Sequence, residues 1–206
     1  MNFIILSAGK SRKSSSDYNK SCLNYKGRPL IVRQIETIKA VYKRSKIVCV
    51  TGFGADAVIN ASKEYKITYV HNELYEDTFT LYSLITGIQN VSGPTFVVHN
   101  DIIFNKNNIN IKNSTNTVWI NKEKSKSVGV NIFNKKIMGF SYGVDNVWQK
   151  LIFLDYSNVD KLKNCSILKK DMNKADFEIY NLLIDNNVYF GVQQGKLKEI
   201  KSIKDL

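Results

Sequence analysis

Residues 2–13 read NFIILSAGKSRK. The run from Asn2 to Leu6 is apolar and of strand length, and Ser7-Ala8-Gly9-Lys10-Ser11 follows at once, small residues that let backbone approach a ligand closely. A strand running into such a loop offers backbone N–H groups and ammonium charge together, which is what a triphosphate needs. The spacing is neither that of a P-loop nor that of a G-x-G-x-x-G dinucleotide fingerprint. Taken alone, the stretch reads equally well as a surface turn, so its neighbours decide.

Downstream, Pro29 opens a helical pattern in which Leu30, Ile31, Ile35, Ile38 and Val41 recur at three- and four-residue steps. Residues 47–50 (IVCV) form a second apolar run, Gly52-Phe53-Gly54 turns the chain into a helix over 55–63, and 67–70 supplies a third strand. A helix over 80–88 leads to a fourth strand over 95–98, ending at His99-Asn100-Asp101. This β-α-β-α-β-α-β alternation predicts an α/β fold with three layers, α/β/α, around a mostly parallel sheet. Ligands gather at the carboxyl ends of such strands, where both the glycine loop and Asp101 fall.

Residues 105–116, NKNNINIKNSTN, are rich in Asn and Lys and predict an exposed connection. Beyond it, short strand-like runs at 117–120, 128–133 and 136–142 predict a small antiparallel extension. Helical patterns are expected over 146–154 and 175–184, then a last strand over 188–192 and a polar tail. There is no internal repeat.

With 206 residues and 43% hydrophobic content, a single domain over 1–206 is expected. The first apolar run is shorter than a signal-peptide core, and no stretch approaches the roughly 20 apolar residues of a membrane helix. A cytoplasmic protein with no membrane partner is the expectation. Cys22, Cys49 and Cys165 are widely spaced, with only His71 and His99 as imidazole partners, which argues against a zinc site or a disulfide framework. Cys49 reads as a buried, inert thiol. The formal charge of +12 suits an anionic partner. The lysines are nevertheless scattered, without a basic block or interleaved aromatic residues, and nucleic acid is not expected as that partner.

The landmarks from Ile4 to Leu30, IILSAGKSRK, then Lys20 and Leu23, then YKGRPLI, resemble nucleotidyltransferases of the NTP-transferase or MobA-like superfamily. Their signature is L-A-A-G-x-G-x-R, P-K-x-L and G-K-P-L-I. The resemblance continues through VCVTGFGADAV, HNELYEDTFTLYSLITGI, VVHNDIIF and EIKSIKDL, and so spans nearly the whole chain. It implies a Rossmann-like sheet of the nucleotide-diphospho-sugar transferase type, with residues 1–104 as the nucleotide-binding half and 117–206 as the acceptor-binding half. The segment with Asn72, Tyr75, Thr78 and Ser83, and the terminal E-I-x-S, look most like cytidylyltransferases acting on phosphocholine and similar small phosphates, which activate head groups for bacterial surface polysaccharides. The loop AGKSRK is also similar to guanylyltransferases of molybdenum-cofactor synthesis, so CTP is favoured but the base stays open.

The resemblance implies attack of a substrate phosphate on the α-phosphorus of a nucleoside triphosphate, with release of pyrophosphate. Lys20 matches the catalytic lysine, and Lys13 stands where relatives usually have arginine, keeping the charge without the bidentate fork. Ser7, Ala8, Gly9, Lys10 and Ser11 would wrap the phosphates, with Asn72, Thr78, Tyr82 and Ser83 as candidates for base and ribose. Asp101 would hold Mg²⁺, a hard cation shared with phosphate.

Lys201 occupies the slot of the second metal-binding aspartate. Glu199 takes over its role, or the Lys201 ammonium replaces a cation, or catalysis has been lost. Lys201 is also a candidate acceptor contact. Tyr142 and Trp148, with Trp119, are candidates for an acceptor pocket suited to a quaternary ammonium. Each also reads as an ordinary core aromatic. A nucleotide-binding module without turnover and a sugar-phosphate nucleotidyltransferase stand as alternatives. A glycosyltransferase is disfavoured because it wants D-x-D where this chain has His99-Asn100-Asp101.

Overall fold

Successive residues of the first strand enter different cores, because strand side chains alternate between the two faces of a sheet. Ile4 and Leu6 join one apolar cluster, and Phe3 and Ile5 the other. The computed structural model describes residues 1–10, 18–111, 115–165 and 171–206. The chain runs β1 (Asn2–Ser7), a short hairpin β2 (Asn24–Tyr25) and β3 (Arg28–Pro29), α1 (Leu30–Val41), β4 (Lys46–Thr51), α2 (Ala55–Ser62), β5 (Thr68–His71), α3 (Thr80–Ile88), β6 (Thr95–His99), β7 (Ile102–Ile103) and α4 (Lys106–Ile109). It continues through β8 (Thr117–Lys122), β9 (Val128–Phe133), β10 (Lys136–Tyr142), β11 (Asn146–Leu154), α5 (Tyr156–Lys163), α6 (Phe177–Asp185), β12 (Gly191–Gln194) and β13 (Lys198–Glu199).

Nine strands form one mixed sheet with the path β10-β9-β11-β6-β1-β4-β5, while β8 pairs with β11 and β12. The neighbours β6, β1, β4 and β5 are parallel, as the alternation predicts, with Leu6 opposite Val50 on one side and His99 on the other. Strand β11 runs antiparallel to β6 and joins this half to the extension, where β9 and β10 are also antiparallel. Helices α3, α5 and α6 cover one face through Leu84, Val159 and Tyr180, and α1, α2 and α4 the other through Ile35, Val58 and Ile109. Of the two tryptophans, Trp119 is fully buried on the second face and Trp148 on the first.

The structure corrects the sequence reading in the second half. Residues 146–154 are strand β11, not a helix. Val147, Trp148 and Leu151 to Leu154 are all buried, as in a central strand covered on both faces, and the break at Gln149-Lys150 that imitates helical spacing is a register irregularity. The segment after residue 104 is not wholly an exposed connection: Asn105 and Asn108 form a capping box that starts α4, and Ile109 is buried. Asp155 caps α5, a helix absent from the sequence reading. The last strand of the large sheet begins at Gly191 rather than Val188.

Candidate functional site

At the carboxyl ends of β1, β4 and β6, one buried side chain ties three loops together. The Asn19 amide donates to the carbonyls of Ser7 (2.7 Å) and Phe53 (2.8 Å), and its oxygen accepts from the Ser21 N–H and from the Asn100 amide. Ser7 and Ser21 share a hydroxyl hydrogen bond, and Asn100 also donates to the Ser21 hydroxyl. Four groups on Asn19 are thereby satisfied, so the start of the short 3₁₀ turn Lys20–Cys22 is held rigidly. Gly52 explains the close approach of the β4 loop: a Cβ there would lie 2.6 Å from Tyr75 Cβ and 2.7 Å from the Ala8 carbonyl oxygen.

Gln34, buried on α1, fixes the turn that carries Asp101. Its amide donates to the carbonyls of His99 (2.9 Å) and Ile102 (2.8 Å). The Asp101 carbonyl accepts from the Ile200 N–H at 2.7 Å, beside the pairing of β7 with β13, so the C-terminal segment is brought to the same place.

Charges of alternating sign meet there. Lys20 Nζ lies 3.2 Å and Lys150 Nζ 2.8 Å from Asp101 Oδ2. Lys150 Nζ is also 2.5 Å from Glu199 Oε1, and Lys201 Nζ is 3.8 Å from Glu199 Oε2. Burial of Asp101 favours its neutral form, but Lys150, Lys20 and His99 outweigh this and hold the carboxyl down at about 2. For Lys150, burial works against the charge and is outweighed by Asp101 and Glu199, so its pKa is raised. Both groups are therefore charged at neutral pH. Asp101 Oδ1, in contrast, is buried without a hydrogen-bond partner among the described residues.

That free oxygen bears on the expected Mg²⁺. The described residues hold no cluster of three His, Cys, Asp or Glu side chains able to enclose a metal. Magnesium is commonly bound by one or two carboxylates and completed by waters and substrate phosphates. Asp101, with an unpaired oxygen and Glu199 near it, fits that mode of binding.

The other expected site residues fall in three places. Ser7 and Ala8 are buried, whereas Gly9 and Lys10 are exposed, with the Lys10 ammonium 5.0 Å from the Phe53 ring centre. Ser11 and Lys13 lie outside the described residues. Asn72, Thr78 and Ser83 are brought together, but on one another: the Asn72 amide donates to the hydroxyls of Thr78 (3.2 Å) and Ser83 (3.0 Å). Tyr82 is half-buried on α3.

Trp148 packs edge-on to His99, Phe140 and Tyr180, with its indole N–H donated to the Leu151 carbonyl. Tyr142 is exposed and meets Phe177. A cavity of about 530 Å³ beside Glu199 is lined by polar residues, among them Asn121, Glu123, Ser127 and Lys201, together with the apolar Val147 and Leu197. Lys150, Asn19 and Gln34 were missed by sequence reasoning. Only Asn19, adjacent to Lys20, carried a positional signal.

A family model, the MobA-like NTP transferase domain, matches residues 3–110. A choline-phosphate cytidylyltransferase of Haemophilus influenzae is 28% identical over 110 residues, covering 52% of this chain and 46% of that protein, so the match spans about half of the relative. Among solved structures, the CTP:phosphocholine cytidylyltransferase of Streptococcus pneumoniae superposes with a TM-score of 0.82 at 16% identity, covering 99% of this chain and 95% of the other. The inositol-1-phosphate CTP transferase of T. maritima gives 0.77 at 15% identity, covering 100% and 91%. At these identities the structural likeness speaks for the fold.

Proposed function

The chain belongs to the MobA-like NTP transferase family, and from that premise we propose that it is a nucleotidyltransferase joining a nucleoside triphosphate, CTP by preference, to a small phosphorylated metabolite. The observation that carries this reading is the meeting of Lys20 and Lys150 on Asp101 at the carboxyl ends of β1 and β6. CTP is preferred because the Haemophilus and Streptococcus relatives are both named as cytidylyltransferases.

In the reaction, an oxygen of the acceptor phosphate forms a bond to the α-phosphorus while the bridging bond to the β-phosphate breaks. Pyrophosphate leaves with the bonding electrons. Negative charge grows on the nonbridging oxygens, and preorganised cations stabilise it more in the transition state than in the ground state. Lys20, with its backbone start clamped by Asn19, supplies such a cation. Gly9 and Lys10, exposed just past the end of β1, would meet the phosphates. Mg²⁺ would be held by Asp101 and would supply charge neutralisation on the triphosphate.

The cavity beside Glu199 receives the acceptor in this reading, and its lining by Asn121, Glu123 and Ser127 suits a polar head group. The halves 1–104 and 117–206 divide the work between nucleotide and acceptor. The test is pyrophosphate release on mixing the protein with Mg²⁺, each NTP and a panel of phosphorylated small molecules. Release dependent on both substrates is expected. Nucleotide binding with no release across the panel would overturn turnover and leave a nucleotide-binding module.

A further inference from the structure

Lys150 stands in the left-handed backbone region, φ 56°, where glycine is favoured and a lysine is uncommon. It also sits at the register irregularity of β11, between Trp148 and Ile152. A bulge re-aims the side chain it carries. Here the ammonium is aimed at two carboxylates from other elements: Asp101 Oδ2 at 2.8 Å and Glu199 Oε1 at 2.5 Å. A divalent ion shared by the two residues would draw on the same pair of carboxylates. The ammonium and such an ion compete for one place.

We propose that the Lys150 ammonium is a resident cation, holding Asp101 and Glu199 together where a shared divalent ion would otherwise bind and leaving Asp101 Oδ1 to reach a metal that arrives with the nucleotide. The arrival with nucleotide rests on the proposed function; the occupation of the shared place does not. Lys201 is not the substitute, although the charge inversion at that position drew attention to it. Its side chain is largely exposed, and its ammonium stands 3.8 Å from the other oxygen of Glu199. Asp101 Oδ2 is committed to Lys20 and Lys150, whereas Oδ1 has no partner among the described residues. That asymmetry leaves one carboxylate oxygen for metal and assigns the other to fixed ammonium groups.

The test uses Mn²⁺ alone, titrated into the nucleotide-free protein and followed by loss of the free-ion electron paramagnetic resonance signal. Wild type is expected to bind weakly. Lys150→Gly, which suits the left-handed backbone, is expected to bind at least tenfold more tightly, and Lys150→Asn, also tolerated there, should move the same way. Adding Glu199→Gln to Lys150→Gly should return the affinity towards wild type. Tight binding by wild type without nucleotide, or no gain in either correctly folded Lys150 variant, overturns the proposal. Neither readout requires turnover, so failure to release pyrophosphate would leave this inference standing.

Discussion

The two sides of the site are built by different means. On the parallel side, β1, β4 and β6 end in loops joined by neutral groups, with Asn19 bonded to Ser7, Phe53, Ser21 and Asn100. On the antiparallel side, Lys150 and Glu199 come from a register break in β11 and from the two-residue strand β13, and they meet through charge. One side fixes position, and the other supplies a field that responds to whatever ion or phosphate enters. Substitutions on the first side should therefore act on stability, and those on the second on chemistry.

The largest effect is expected where the two sides touch. Lys20→Ala removes one ammonium from the place where transition-state charge develops, and losing one such donor typically lowers kcat by about 10²–10³-fold. Lys20 is partly exposed, and Asp101 retains Lys150, so the thermal midpoint should move little. Steady-state pyrophosphate release alongside a melting curve checks the division. A large fall in melting temperature would mean that Lys20 belongs to the scaffold.

The opposite division is expected one residue earlier. Asn19→Ala strips partners from the buried Ser7 and Ser21 groups, and each orphaned buried polar group costs roughly 1–3 kcal/mol. Loss of stability by denaturant titration should therefore be of that order or more, with activity falling as Lys20 loses its anchor. Unchanged stability with abolished activity would contradict the positioning role. On α3, which packs against the same strands, Gly87→Ala tests packing alone, since the new Cβ would stand 2.6 Å from Ile4 Cγ2 and 3.0 Å from Val50 Cγ2. Overpacking of this kind costs about 1–3 kcal/mol, read as a lower denaturation midpoint with little change in KM.

The same contrast explains what could be read from the chain beforehand. The parallel side obeys one-dimensional rules: apolar runs of strand length, helical spacing in Leu30 to Val41, and glycine at the close approach of residue 52. Its core and the place of Asp101 were legible for that reason, whereas Lys20 stood out only through the family resemblance. On the antiparallel side, Val147, Trp148 and Leu151 to Leu154 imitate a helix because a register break interrupts a strand buried on both faces. Lys150 looks like any other lysine among 30 Lys and Arg residues, since its role depends on a left-handed backbone and on carboxylates 49 residues away in both directions. The aromatic candidates for the acceptor pocket were read as possible core residues for a related reason. Composition does not say which tryptophan a central strand will bury, and Trp119 and Trp148 both entered the core.

The smallest effect concerns the seam between the two sides. His99 at the end of β6 contacts Asp176, which leads into α6, at 2.8 Å, and the Thr80 hydroxyl donates to the other Asp176 oxygen. Burial favours the neutral Asp176 acid, but the His99 charge and these hydrogen bonds prevail, so its pKa is lowered in the folded state. A carboxyl with a depressed folded pKa contributes stability that is present above its unfolded value, near 3.9, and is lost as pH falls towards the folded value. Asp176→Asn keeps the shape and cannot carry the charge. It should be less stable than wild type at pH 7, and the gap should narrow as pH falls below about 4. Denaturant midpoints across pH 3–7 measure this directly. A gap that widens in acid would mean that the seam is held by the neutral acid, and the depressed pKa assigned to Asp176 would be wrong.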